Sequence, residues 1–166
     1  MEINFNPARI KLIVGLGNPG KEYENTYHNV GKLAVQSFKE LLDSRFYTLD
    51  SEVYMNESGS FVKKMLEKHK AKSDELLVVH DDSDIALEDY KISFGRGAAG
   101  HKGVESVIKA LKTKNFWRLR VGIRNKESRI RQKAEKLVLK KISGRDKKTL
   151  EETFERIIPL LLRNSR

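Results

Sequence analysis

Two apolar patterns alternate along this chain, one suited to buried strands and one to helices with a single apolar face. Ile10 to Leu16 is a β-branched run with no polar break but Lys11, the pattern of a strand in the middle of a sheet. Val30 to Leu42 switches to helical spacing, with Val30, Leu33, Ala34, Phe38, Leu41 and Leu42 on one stripe. Phe46 to Tyr54 reads as an edge strand. Ser58 to Lys68 reads as a helix, with Ser58 as its N-cap and Phe61, Val62, Met65 and Leu66 facing inward. Leu76 to Val79 is a second buried strand, ending in the polar turn His80-Asp81-Asp82-Ser83-Asp84. A strand over Tyr90–Phe94, a glycine-rich loop over Arg96–Gly103, a helix over Val104–Leu111 and a strand over Trp117–Ile123 follow. Leu137–Ile142 is the only strand-like piece of the next segment, and Asp146 caps a last helix through about Leu162. Strands that alternate with helices predict one α/β domain over 1–166, a twisted mixed β-sheet flanked by helices.

Charge adds a second division that the elements do not show. The net charge of +10 is split unevenly along the 166 residues. Residues 1–90 hold 11 Lys and Arg against 16 Asp and Glu, and residues 91–166 hold 22 against 7. Such a basic half, most marked from about residue 124, points to a polyanion. Arg118, Arg120, Arg124, Arg129 and Arg131 favour nucleic acid, because arginine is the better fork for phosphate. The absence of cysteine excludes disulfides, thiolate nucleophiles and cysteine-held zinc. No apolar run approaches the roughly 20 residues of a membrane helix, so a cytoplasmic protein with no membrane partner is expected.

Candidate chemistry clusters beyond the strand ends, where open α/β sheets bind their ligands. Gly15-Leu16-Gly17-Asn18-Pro19-Gly20 fits the dinucleotide fingerprint by letter, but Gly20 opens no helical pattern, which argues against that cofactor. The acids Asp81, Asp82 and Asp84 are a candidate for a hard cation, with a polar turn as the simpler reading. No serine sits in a nucleophile elbow. What remains is water activated by a general base, oriented by a carboxylate, with amides for the oxyanion. His28 is the best base, Asp81 the carboxylate, and Asn18 and Asn56 the amides. His101 either lines the site or ties its own loop, and His69 reads as a solvated helix end.

These residues fall in motifs that resemble bacterial-type peptidyl-tRNA hydrolase. The motifs are Val14–Gly20, Tyr23, Thr26–Gly31, Tyr54–Gly59, Val79–Asp84, Gly100-His101 with Gly103, and Asn115–Ile123. The resemblance implies hydrolysis of the ester between a peptide and the 3′ end of tRNA, with no metal and no cofactor. It makes His28 the base and Asp81 the group that sets its tautomer. Asn18 and Asn56 position the ester. Tyr23, Met55, His101 and Lys102 are the substrate-binding group, and Lys91 with Arg120 clamps tRNA phosphate. A monomer is the expected state. Lys102 stands where the family usually has asparagine, and Arg96, Ala98 and Ala99 also depart from its pattern. Lys102 keeps one rival reading open, an RNA-binding protein on this fold with little or no hydrolysis; a metal-dependent phosphoesterase is a third.

Overall fold

The computed structural model describes residues 4–127 and 133–163. Arg129 and Arg131 lie outside them. Five strands form one sheet in the order β2-β1-β3-β5-β4. They are β1 (Leu12–Gly15), β2 (Tyr47–Asp50), β3 (Leu76–Ala86), β4 (Tyr90–Phe94) and β5 (Trp117–Arg124). All neighbours run parallel except β4, which pairs antiparallel with β5. The mixed sheet expected from the alternating elements is therefore present.

Alternation along the central strands explains the two layers of helices. Ile13, Leu77, Val79, Leu119 and Val121 point to one face, against α1 (Val30–Lys39) and α5 (Gly144–Leu161). Leu12, Val14, Leu76 and Val78 point to the other, against α2 (Ser58–Lys68) and α3 (Lys102–Leu111). With helices on both faces, a strand such as β1 has no polar side, hence its unbroken apolar run. α1 also packs unusually close. A Cβ on Gly31 would stand 2.2 Å from the Val79 carbonyl oxygen, and one on Gly15 would stand 2.3 Å from the Gly31 oxygen. Two missing side chains let the start of α1, and the residue His28 just before it, sit against the middle of β3.

Five sequence expectations differ in detail. β3 runs on through His80–Asp84 to Ala86 instead of ending in a turn, because β5 continues to pair beside it, with an irregularity after Asp82. Leu137–Ile142 is not a strand: α4 (Ala134–Val138) covers its start, and only Lys141 makes a bridge, to Thr26. Ser143, not Asp146, caps α5, its side chain accepting from the Asp146 N–H. Ser58 is the first residue of α2 and donates to the Met55 carbonyl oxygen (2.7 Å) instead of capping. His69 does end α2, but it is half-buried and stacks on Tyr47 with ring centroids 3.9 Å apart.

α4 and the strand-like residues after it grip the segment that carries His28. The Tyr27 N–H donates to Lys140, the Ile142 N–H to Asn25, and the Tyr27 hydroxyl to Asp146 at 2.5 Å. The basic C-terminal region is thereby joined to residues 25–28.

Candidate active site

The end of β1, the middle of β3 and the starts of α1 and α3 meet at one place, and most of the candidate residues meet there. His28 lies in the single 3₁₀ turn Tyr27–Asn29 that runs directly into α1. Its Nδ1 is 3.0 Å from Oδ2 and 3.1 Å from Oδ1 of Asp81, a residue 53 positions later in the chain. Asp81 is 2% exposed, while the His28 side chain keeps 12%. A carboxylate accepts and does not donate, so Nδ1 carries the proton and Nε2 is left with its lone pair. Burial pulls the His28 pKa down, but the charge and hydrogen bond of Asp81 outweigh it, and the net direction is up; Lys102 acts in the opposite sense. Burial alone would raise Asp81, yet the two imidazoles His101 and His28 hold it well below the usual carboxylate range.

Asn18 is held from both sides, by Asn29 and by the backbone of Met55. Its backbone N–H donates to Oδ1 of Asn29 (2.8 Å), and its carbonyl accepts from Nδ2 of the same residue (2.9 Å). Its own side-chain oxygen accepts from the Met55 N–H (2.8 Å). With Oδ1 occupied, the Asn18 amide group is oriented, and among the described residues nothing accepts from its Nδ2. The residue missed by sequence reasoning is Asn29. Its only sequence signal was its place beside His28 in the Tyr27–Gly31 motif.

The other expected residues divide into those at the surface and those absorbed by packing. Asn56 is exposed, in the short turn Met55–Glu57 before α2, and its carbonyl accepts from Ser106 on α3. Tyr23 is half-buried and sets its ring edge-on to Tyr54, centroids 6.5 Å apart. Lys102 is exposed at the first position of α3. Met55 is buried in the α2–α3 layer and forms a floor there. Both ring nitrogens of His101 are occupied inside the protein, Nε2 on Asp81 (2.9 Å) and Nδ1 on the Val104 N–H (3.2 Å).

Lys91 and Arg120 are opposite partners on β4 and β5, so their side chains leave the same face. Lys91 is exposed. Arg120 has only 14% of its side chain exposed and donates to Asp82 (2.8 Å) and to Ser93 (3.1 Å). Arg118, counted above as part of the nucleic-acid footprint, is 4% exposed and donates to the Gly97 carbonyl. Burial, with Arg120 beside it, lowers its pKa to about 10. It ties down the glycine-rich loop instead of offering a surface contact.

The geometry gives the dinucleotide and acidic-cluster readings little support. After Gly20, in a turn with φ +102°, no helix begins until Tyr27, so no helix end stands ready for a pyrophosphate. The acids of β3 diverge: Asp81 serves the two histidines, Asp82 pairs with Arg120, and Asp84 is exposed. His28, Asp81 and His101 each bring one ligating atom within 4.8 Å of the others. Asp81 lies 2.9–3.1 Å from a ring nitrogen of each histidine, distances that fit N–H···O hydrogen bonds.

Comparison with known proteins gives this arrangement its family. The family model described as peptidyl-tRNA hydrolase matches residues 12–49 and 40–163. The chain is 35% identical over 173 residues to the peptidyl-tRNA hydrolase of Aquifex aeolicus, covering 93% of this chain and 89% of that one. It is 43% identical over 133 residues to that of Coprothermobacter proteolyticus, covering 68% and 67%. The crystal structure of the Acinetobacter baumannii peptidyl-tRNA hydrolase superposes with a TM-score of 0.77 at 26% identity, over 95% of this chain and 89% of that one. Fold, motif order and sequence agree across almost the whole length, and the chain belongs to the peptidyl-tRNA hydrolase family.

Proposed function

We propose that His28, oriented by Asp81, carries the hydrolysis of peptidyl-tRNA in this chain. The observation that supports it is the hydrogen bond from the imidazole Nδ1 to a buried carboxylate, which leaves Nε2 as the base. Nε2 takes a proton from water as the oxygen attacks the ester carbonyl carbon. The carbonyl oxygen becomes an oxyanion, and amide N–H donors from Asn18 and Asn56 stabilise it. Collapse expels the 3′ oxygen of the tRNA ribose, which takes the proton back from His28. The products are a free tRNA 3′ end and a peptide carboxylic acid, which ionises at neutral pH. Asn18 suits its part because its oxygen is already spent on Met55 and only the donor remains.

Lys91 and Arg120 supply the tRNA phosphate contact in this reading, with Lys102 as a further cation beside the ester. Lys91→Ala is expected to weaken substrate binding and to lower the slope of log affinity against log salt by roughly one, with turnover at saturation kept. A salt titration that overlays the wild type would place Lys91 outside the interface. Arg120→Ala should act in the same direction but also strands the Asp82 carboxylate, so its stability must be measured alongside. A monomer is the proposed state, and because peptidyl-tRNA arises in translation, the cytoplasm is the proposed compartment. The test of the whole reading is release of peptide from a peptidyl-tRNA with EDTA present. Release at an unchanged rate is expected. Binding of the tRNA without release would instead identify an RNA-binding protein, and activity abolished by EDTA a metal enzyme.

A further inference from the structure

His101 has no free ring nitrogen, and that fixes where its proton lies. As N-cap of α3, its Nδ1 accepts from the Val104 N–H (3.2 Å), so that nitrogen holds a lone pair. The single proton is then on Nε2, which donates to Oδ1 of Asp81 at 2.9 Å. Asp81 therefore receives two imidazole N–H groups, one from His28 and one from His101. The two rings lie side by side, centroids 5.0 Å apart. His80 sets its ring edge-on to His101, 4.7 Å between centroids, and its own Nδ1 donates to the Asp81 carbonyl oxygen (2.7 Å). The ring of His101 is thus clamped by a helix end, a carboxylate and a second imidazole. Its side chain is only 10% exposed, and both ring nitrogens are engaged inside the protein.

Resting on the proposed role of His28, we infer that His101 is a positioning residue that shares the charge of Asp81 and so keeps His28 available as a base closer to neutral pH. A carboxylate with one donor places its whole field on that donor and favours the protonated imidazole. A second donor takes part of the field and leaves His28 easier to deprotonate. The groups acting on His28 and Asp81 are few. His80 comes from β3, beside Asp81 itself, His101 and Lys102 come from the start of α3, and Arg118 of β5 acts on His80. Burial, aided by His101, holds the His80 pKa at about 3, so that ring adds no charge near neutrality. Lys102 works in the same direction as His101, by repelling a proton on His28.

His101→Asn separates this role from simple capping. Asparagine is a good N-cap and keeps the end of α3, but it is too short to reach Asp81. The His28 imidazole is followed by NMR titration, and the acid limb of kcat/KM is measured in parallel. Both midpoints are expected to rise by roughly 0.5–1 pH unit, with thermal stability close to wild type. His101→Gln, long enough to donate to Asp81, is expected to bring both midpoints back toward wild type. Unmoved midpoints in a folded His101→Asn protein would overturn the inference, as would equal shifts in the two variants. The titration reads the base directly. If the wild type releases no peptide but the NMR midpoint moves, the proposed hydrolysis fails and the sharing of Asp81 stands. If the wild type is active and neither midpoint moves, only the sharing fails.

Discussion

His28→Ala is expected to lower turnover on peptidyl-tRNA by at least about 100-fold, the low end for loss of a general base. Water then has no lone pair positioned to take its proton, and the leaving ribose oxygen has no donor. Binding of tRNA should be nearly unchanged, because the imidazole meets water and the ester and not the phosphate backbone. The loss should therefore fall on kcat and leave KM close to the wild-type value. Folding should also survive, since the side chain keeps 12% exposure and makes its one hydrogen bond to Asp81. Equal turnover in the two proteins would put the base elsewhere.

Asn18→Ala is expected to cost about 10²–10³ in kcat, as removal of an oxyanion donor does in other hydrolases. Part of the loss has a second source. The Met55 N–H is left without its buried acceptor, so the turn that presents Asn56 loosens as well. Asn29 offers a way to tell these apart, because it grips only the backbone of Asn18, through both its N–H and its carbonyl. Asn29→Ala leaves both amides of the site in place but frees the loop that aims one of them. It is expected to lower kcat by an intermediate factor and to lower stability too, since it empties a buried site and strips two backbone groups of partners. An Asn18→Ala protein with wild-type kcat would remove Asn18 from the oxyanion site.

The sequence was most legible where a physical rule has one answer. Ile13 and Val14 face opposite helical layers, so an unbroken apolar run there admits little but a central strand. The motif around Asn18 and His28 was readable as chemistry beyond the end of β1, whereas the acids after Val79, read the same way, lie within β3, which runs on to Ala86. What spacing did not carry was which atoms meet. His28 and Asp81 are 53 residues apart, and only the close seating of α1 through Gly15 and Gly31 brings them to 3.0 Å. His101 read as a possible site lining, yet its nitrogens turn inward, since capping α3 and holding Asp81 use both. Arg118 counted toward the basic footprint for its charge alone. Its strand position, beside Val78, sends it under the glycine-rich loop. Leu137–Ile142 misled for a related reason: a short apolar run does not distinguish an edge strand from one helical turn and a single bridge.

The central claim is that His28 acts as a base whose strength comes from Asp81, and the pH dependence of kcat/KM in wild type and Asp81→Asn tests it most directly. Asp81 raises the His28 pKa in the folded protein, so the base is available only above that raised value. The wild-type rate should fall on the acid side through one ionisation with a midpoint above the ordinary imidazole value of about 6.5. In Asp81→Asn the charge that holds the proton is gone, so the midpoint should move to lower pH, opposite to the shift expected for His101→Asn. The plateau should drop as well, because a neutral amide no longer selects the tautomer with Nδ1 protonated. An acid limb at the same pH in both proteins, with the same plateau, would contradict the account.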